Sequence, residues 1–174
     1  MKNIKIKFVV AMEEEATQLK RLFPEEEILI TGVGVSNVIR NFSRLHNKST
    51  IYINVGYAGS NSKEHKIGDA VLIGRVRPEK VSNVISETVR EIYSIGANNS
   101  NVCYTSDDFV TNSEHTGIFD MELFYLGMFK LKGLYSVKII SDNLNYNAFE
   151  KFNSEEAWNK AGELIKILLK ALRK

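Results

Sequence analysis

The sequence predicts an α/β domain with a mixed, largely parallel sheet. Short apolar runs rich in β-branched residues alternate with segments whose apolar residues recur at helical spacing, which is the pattern of strands joined by crossover helices. No repeat or linker interrupts this alternation, so residues 1–174 are expected to form a single domain. A glycine-rich segment follows the central apolar run, at the kind of strand end where open α/β sheets bind ligands.

Strand and helix signals alternate at the start of the chain. Ile4–Ala11 is apolar enough for a buried strand, and the acidic first turn and leucine spacing of Glu13–Phe23 favour a helix that ends at Pro24. Because this acidic turn directly follows a buried strand, at least one of its carboxylates is expected to point into a crevice. Glu27–Thr31 predicts a second strand, and the apolar spacing within Val35–Leu45 predicts a second helix.

The central segment is predicted to contain two strands. Ile51–Val55 is short, apolar and β-branched, as a buried strand is. The glycines of Gly56–Ser60 then predict a sharp turn that leaves backbone N–H groups facing the space beyond the strand end. A second turn at Gly68 precedes another buried-type strand, Ala70–Ile73.

Periodicity in the second half is weaker but continues the alternation. A polar Asp-Asn pair stands where the last predicted strand ends, and a polar group at that place favours a functional interpretation. The predicted elements are a helix over Ser82–Ile95, a brief strand over Val102–Thr105, a helix over Glu122–Lys130, a buried strand over Tyr135–Ser141 and a last helix from Ser154 almost to Lys174.

Composition excludes several classes of protein. Hydrophobic residues make up 44% and charged residues 25% of the 174 residues, as in ordinary globular domains, and a net charge of +2 is too small to indicate nucleic-acid binding. The one cysteine, Cys103, excludes an internal disulfide and favours a reducing compartment. The three histidines have no metal-ligand spacing, and no apolar window spans a membrane. A cytoplasmic protein is expected, without metal, cofactor, nucleic-acid or membrane partner.

Seven short motifs follow one another in a familiar order. They are Ala11–Glu15, Gly32–Gly34, Asn54–Gly59, Ile67–Asp69, Ser106–Val110, Asp120–Glu122 and Ile140–Asp142. In this order they resemble the purine nucleoside phosphorylase/uridine phosphorylase superfamily, and within it the nucleosidase branch typified by 5′-methylthioadenosine/S-adenosylhomocysteine nucleosidase. The resemblance implies a three-layer αβα domain with a mixed central sheet. The resemblance covers nearly the whole chain. Compared with typical members of the family, the chain is shortened on both sides of the Gly-rich centre.

The resemblance assigns catalytic roles to two carboxylates. Cleavage of an N-glycosidic bond passes through a ribosyl cation-like transition state, which needs a proton on the leaving purine and a nucleophile at C1′. Asp142 would donate that proton to N7, and must be kept protonated by its surroundings to do so. Glu15, the last of the three glutamates, would orient and deprotonate the attacking water. Glu122 would accept hydrogen bonds from the ribose hydroxyls while Met121 packs on the sugar.

The remaining implied contacts surround the purine base. Phe109 would stack on the ring, and the backbone of Val110 would bind its edge. The floor of the site would be formed by Ala58 and Gly59, and Ser141 belongs to the Ser-Asp motif that supplies the acid. The implied partner is therefore a small-molecule nucleoside, and the resemblance also implies a homodimer.

Two departures from the family's pattern bear on the reaction. Phosphorylases of this superfamily place an arginine at the position of Asn54, and three glutamates in the first loop would repel phosphate, so water is the favoured nucleophile. Tyr57 stands where the family has a small residue, usually serine, and its phenol either narrows the site, binds a ligand or faces away. A phosphorylase and a catalytically degenerate nucleoside-binding protein remain the alternatives to a nucleosidase.

Overall fold

The structure is a computed structural model that describes residues 5–81, 93–97, 99–129 and 131–174. Over these residues a mixed nine-stranded sheet is flanked by helices on both faces, so the predicted α/β class is confirmed. The strands are β1 (Ile6–Val10), β2 (Glu27–Ile30), β3 (Ile51–Ser60), β4 (Ala70–Leu72), β5 (Arg75–Pro78), β6 (Tyr93–Ser94), β7 (Val102–Thr105), β8 (Ile118–Asp120) and β9 (Gly133–Asp142). Along the main path they lie in the order β2-β1-β3-β8-β7-β5-β6, and β9 pairs with β3 and β4.

Within the described ranges, five helical segments cover the sheet. They are α1 (Glu13–Leu22), α2 (Val35–Asn37, a π-helical stretch Val38–Phe42, and Ser43–Leu45), α3 (Leu123–Gly127), α4 (Tyr146–Glu150) and α5 (Glu155–Leu172). Helices α2 and α3 pack in one apolar core, and α1 and α5 in the other. This arrangement is the three-layer architecture that the resemblance implies. No helix within the described ranges is long and apolar enough to cross a membrane.

Strand β3 is central to the sheet and pairs with β1, β8 and β9. It pairs parallel with β1 over Ile51–Asn54 and with β9 over Ile51–Gly59, and its last residues, Gly59 and Ser60, pair antiparallel with β8. The prediction of a sharp turn over Gly56–Ser60 is therefore wrong. The strand continues because β9 supplies backbone partners as far as Gly59, so the chain has no reason to turn there.

Other sequence predictions differ from the structure in detail. The residues 82–92 of the predicted helix Ser82–Ile95 lie outside the described ranges, and Tyr93–Ser94 forms a strand. Helix α3 ends at Gly127, and Lys130 is not among the described residues. Strands β5 and β8 and helix α4 were not predicted, since each has five residues or fewer and too short a pattern to reveal its period.

The core between α1, α5 and the sheet is close-packed. Leu19 of α1 and Trp158 of α5 are fully buried in it, whereas Ile167 of α5 is 68% exposed. Burial of α1 matters beyond stability, because its first turn carries the acidic residues that follow β1.

Replacing Leu19 with Ala is expected to lower the free energy of unfolding by about 2–5 kcal/mol, because a buried cavity would replace the leucine side chain. Urea denaturation measures this change. The matched control is Ile167→Ala, which is expected to stay within about 0.5 kcal/mol of the wild type. Equal losses in both variants would contradict the assigned packing of α1.

Candidate active site

The carboxyl ends of β1, β3 and β9 open onto one cavity of about 290 Å³. The segment that follows β8 closes it from the other side. Its lining residues are Ala11, Met12, Glu15, Val33, Tyr57, Ala58, Gly59, Phe109, Phe119, Asp120, Met121, Glu122, Ser141, Asp142, Tyr146 and Phe149. All the residues that the sequence analysis assigned to the site are among them except Val110. Val110 lines an adjoining cavity of about 30 Å³, which shares Gly59, Phe109 and Asp142 with the larger one.

Asp142 ends strand β9 as a buried carboxyl group. Its Oδ2 accepts a hydrogen bond from Ser141 Oγ at 2.9 Å, and its Oδ1 accepts one from the backbone N–H of Leu144 at 2.8 Å. Leu144 holds this position at a φ of 63°, a left-handed conformation that is rare for a leucine. Burial raises the pKa of Asp142 above its ordinary value and outweighs these hydrogen bonds, which favour the ionised form.

Glu15 is the one glutamate of the acidic turn that is buried, while Glu13 and Glu14 are exposed. Its Oε2 accepts hydrogen bonds from the backbone N–H groups of Ala11 at 2.9 Å and Met12 at 3.0 Å. In the bond to Met12, a side chain of the first helical turn caps the residue that precedes the helix. Its Oε1 accepts one from the backbone N–H of Tyr57 on β3, at 3.0 Å. Burial raises the pKa of Glu15, although these donors favour the carboxylate.

Two glycines let both carboxyl groups lie against β3. A Cβ atom on Gly56 would lie 2.8 Å from Glu15 Oε1, and one on Gly59 would lie 2.7 Å from Asp142 Oδ1. Both distances are shorter than carbon–oxygen van der Waals contact. The glycines of the central motif are therefore needed for close approach of side chains rather than for a turn.

Glu122 follows β8 and faces the same cavity. Its Oε1 accepts a hydrogen bond from the backbone N–H of Gly34 at 3.0 Å, which ties the turn after β2 to the far side of the site. Burial, followed by the nearby charge of Asp120, raises the pKa of Glu122 above its ordinary range.

A buried ion pair supports the floor beside Glu122. Lys138 of β9 places its Nζ 2.6 Å from Asp120 Oδ2, and both side chains are inaccessible to solvent. Asp120 also accepts hydrogen bonds from Thr105 Oγ1 at 2.5 Å and from the backbone N–H of Leu123 at 2.9 Å. Burial opposes the charge on Lys138, but Asp120 more than compensates and the pKa of the lysine lies above its ordinary value. This pair joins β9, β8, β7 and α3.

Lys138 and Thr105 were not predicted from the sequence as part of the site, and Gly34 was noted only within the Gly32–Gly34 motif. For Lys138 the signal was present, since a lysine interrupts the otherwise apolar segment from Val137 to Ile140. A buried charge needs a partner, and Asp120 was noted only as the first residue of the Asp120–Glu122 motif. Thr105 acts through a small hydroxyl, which leaves no recognisable pattern in the sequence, and the Gly32–Gly34 motif does not show that the N–H of Gly34 binds Glu122.

Aromatic side chains form one wall of the cavity. Phe109 packs edge-on against Tyr146 of α4 with ring centroids 5.5 Å apart, and Phe149 of the same helix lies 6.2 Å from it. Tyr146 is 54% exposed, so this wall faces solvent on its outer side. The arrangement provides an apolar slot into which a flat ring can insert beside Asp142.

Asn54 lies below the cavity and not within it. Its side-chain amide donates to the carbonyl of Val9, and its carbonyl oxygen accepts from Ser136 Oγ at 2.9 Å, so it links β1, β3 and β9. None of the described residues that line the cavity is Arg or Lys. Within the described ranges no group of three or more His, Cys, Asp or Glu side chains is arranged to hold a metal ion.

Solved structures resemble this chain over nearly its full length. The MTAN of Chlamydia trachomatis is 16% identical, with a TM-score of 0.76 over 97% of this chain and 98% of that one. The futalosine hydrolase of Helicobacter pylori is 17% identical, with a TM-score of 0.76 over 97% and 98%. The 5′-methylthioadenosine/S-adenosylhomocysteine nucleosidase of Helicobacter pylori, solved with butyl-thio-DADMe-Immucillin-A, is 16% identical, with a TM-score of 0.78 over 98% and 100%.

No protein-family model and no curated protein sequence matches the chain. At these identities the structural likeness establishes the fold and leaves the activity to be argued from the site. The chain therefore has the nucleoside phosphorylase-like fold shared by the methylthioadenosine/S-adenosylhomocysteine nucleosidases and futalosine hydrolase.

Proposed function

We propose that this protein is a nucleosidase that hydrolyses the N-glycosidic bond of a purine nucleoside. The observation that carries the proposal is the convergence of three buried carboxyl groups, Glu15, Glu122 and Asp142, on one cavity with an aromatic wall. Hydrolysis of this bond needs an acid, a base and a ribose-binding group, and we assign one of these roles to each carboxyl group.

Asp142 is the proposed general acid. It transfers its proton to N7 of the purine as the C1′–N9 bond breaks, so the base leaves as a neutral molecule. Burial supports this role because it raises the pKa of Asp142 and so favours the protonated carboxyl group. General acid catalysis of this kind contributes about 10²–10⁴-fold in rate.

Glu15 is the proposed general base. A water molecule adds to C1′ of the ribosyl cation and gives one proton to Glu15, so that the products are the free base and the free sugar. Three backbone donors fix this carboxylate, which leaves it oriented without support from the substrate. The exposed Glu13 and Glu14 do not reach the cavity lining.

Substrate binding is assigned to other residues that line the two cavities. Glu122 accepts hydrogen bonds from the ribose 2′- and 3′-hydroxyls, while Met121 packs on the sugar. Phe109 stacks on the base, and the backbone of Val110, which lines the adjoining cavity, binds its edge. Adenine nucleosides of the methylthioadenosine/S-adenosylhomocysteine type are the proposed substrates, because nucleosidases of that type are among the structural neighbours. A cytoplasmic homodimer is part of the same proposal.

Water is the proposed nucleophile in preference to phosphate. A phosphate dianion would meet three carboxyl groups in a cavity whose described lining contains no Arg or Lys. Lys138 is a buried cation, and its ammonium group is paired with Asp120. The position where the related phosphorylases have an arginine is filled by Asn54, which serves the sheet.

The assay that tests this choice measures base release from methylthioadenosine, S-adenosylhomocysteine and adenosine with and without phosphate. Release is expected without phosphate and is expected to be unchanged when phosphate is added. The sugar product should be the free ribosyl compound. Release that requires phosphate and yields a ribosyl 1-phosphate would make the protein a phosphorylase. Binding of all three nucleosides with release from none would favour the degenerate binding protein.

Replacing Asp142 with Asn is expected to lower kcat by about 10²–10⁴-fold, because an amide cannot transfer the proton to N7. Nucleoside affinity, measured by calorimetry, should change by less than about tenfold because the side-chain shape is retained. A variant with the turnover of the wild type would refute the assignment of the acid.

The rate should depend on pH in a bell-shaped manner if both carboxyl groups act as proposed. Glu15 must be ionised, so kcat falls as the pH drops through its pKa, and Asp142 must be protonated, so kcat falls as the pH rises through its pKa. The residual activity of Glu15→Gln should lack the acidic limb, whereas the control Glu13→Gln should keep the wild-type profile. An acidic limb that persists in Glu15→Gln would exclude Glu15 as the base.

A further inference from the structure

Tyr57 makes a hydrogen-bonded bridge that the proposed reaction does not yet explain. Its hydroxyl donates to Glu14 Oε1 at 2.8 Å and accepts from the indole Nε1 of Trp158, also at 2.8 Å. The bridge joins three elements, since Glu14 is on α1, Tyr57 on β3 and Trp158 on α5. One of its ends is fixed, because Trp158 is completely buried.

The ring of Tyr57 is enclosed as firmly as its hydroxyl. Phe149, Phe152 and Trp158 surround it edge-on, with ring centroids 6.2, 5.7 and 5.9 Å away. Such pairs hold a preferred geometry and contribute about 0.5–1.5 kcal/mol each beyond burial. Tyr57 therefore neither rotates out of the site nor points away from it, and its side chain remains part of the cavity wall.

The same residue contacts two consecutive glutamates. Its backbone N–H donates to Glu15 Oε1 at 3.0 Å, and its side chain binds Glu14. The first turn of α1 is thus held to β3 at two successive residues, one through the backbone and one through the phenol. A serine, which is usual at this position in the related family, is too short to reach Glu14 and Trp158 together.

We propose that Tyr57 is a positioning residue for Glu15: its side chain holds the first turn of α1 against β3 and α5 and keeps bulk water from the buried carboxylate. This inference rests on the proposed role of Glu15 as the base. Loss of the bridge would loosen the first turn and admit water beside Glu15. Misplacement of the base by a fraction of an ångström is enough to slow the chemical step.

The charges near Glu15 come from its own helix and from two other parts of the fold. Glu14 lies beside it on α1, Lys138 is on β9, and Glu122 follows β8. Lys138 favours the ionised form of Glu15, whereas burial is the larger effect and raises the pKa. Admission of water would weaken the effect of burial, so the pKa of Glu15 is expected to fall when the bridge is lost.

The test is Tyr57→Phe, which keeps the ring and removes only the bridge. We expect kcat to fall about tenfold with KM within about twofold, since a positioning residue acts on the chemical step. The acidic limb of the pH profile should move to lower pH, an effect that a purely structural role would not produce. Wild-type kcat and an unchanged acidic limb would overturn the inference, while loss of turnover in Glu15→Gln would still support the proposed function.

Two alanine variants in the first turn of α1 distinguish loss of the Tyr57 bridge from loss of a nearby negative charge. Glu14→Ala removes the acceptor of the Tyr57 hydroxyl, and it is expected to reproduce the lower kcat and the shifted limb of Tyr57→Phe. Glu13→Ala removes the same charge from the same exposed turn, and it is expected to behave as the wild type. Equal effects of the two alanine variants would overturn the inference.

A readout independent of turnover keeps the two proposals distinguishable. The carboxyl ¹³C resonance of Glu15, assigned from its loss in Glu15→Gln, reports the titration of Glu15 in wild type and in Tyr57→Phe. A lower pKa in Tyr57→Phe supports the positioning role even if no nucleoside is cleaved, an outcome that would reject the proposed function alone. The same titration curve in both proteins rejects the positioning role.

Discussion

Close contact between two carboxyl groups and the backbone of one strand is the constraint on which the site depends. Glu15 and Asp142 reach β3 from opposite neighbours, β1 and β9, and each occupies the space that a Cβ atom would take at Gly56 or Gly59. The sheet order therefore determines which carboxyl groups meet. Any side chain at either glycine would push one of the two groups away from the other.

The electrostatics of the cavity follow from the burial of several carboxyl groups near one lysine. Lys138 forms its ion pair with Asp120. The hydrogen-bond donors to Glu15, Glu122 and Asp142 are therefore backbone amides and hydroxyl groups. Such donors stabilise a carboxylate less than a neighbouring cation does, and burial prevails. The result is a set of carboxyl groups with raised pKa values, which for Asp142 favours the protonated form that its proposed role requires.

Much of this site was predictable because its residues stand at strand ends. Asp142 and Glu15 follow buried apolar runs, and ordered motifs supplied Glu122, Met121 and Phe109. The continuation of β3 through Gly56 was not predictable, because local sequence does not show that β9 will pair with it. Tyr57 was recognised as unusual, but its partner Trp158 is 101 residues away in sequence, beyond the reach of any local pattern.

The conformation of Leu144 sets a limit on how this site can change. A leucine at a φ of 63° carries about 1–2 kcal/mol of backbone strain, while its N–H is bonded to the proposed acid and its side chain packs over Gly59. Glycine at this position would relieve the strain but remove the packing that covers Asp142. The strain is thus a cost in stability that accompanies the fixed position of the proposed acid.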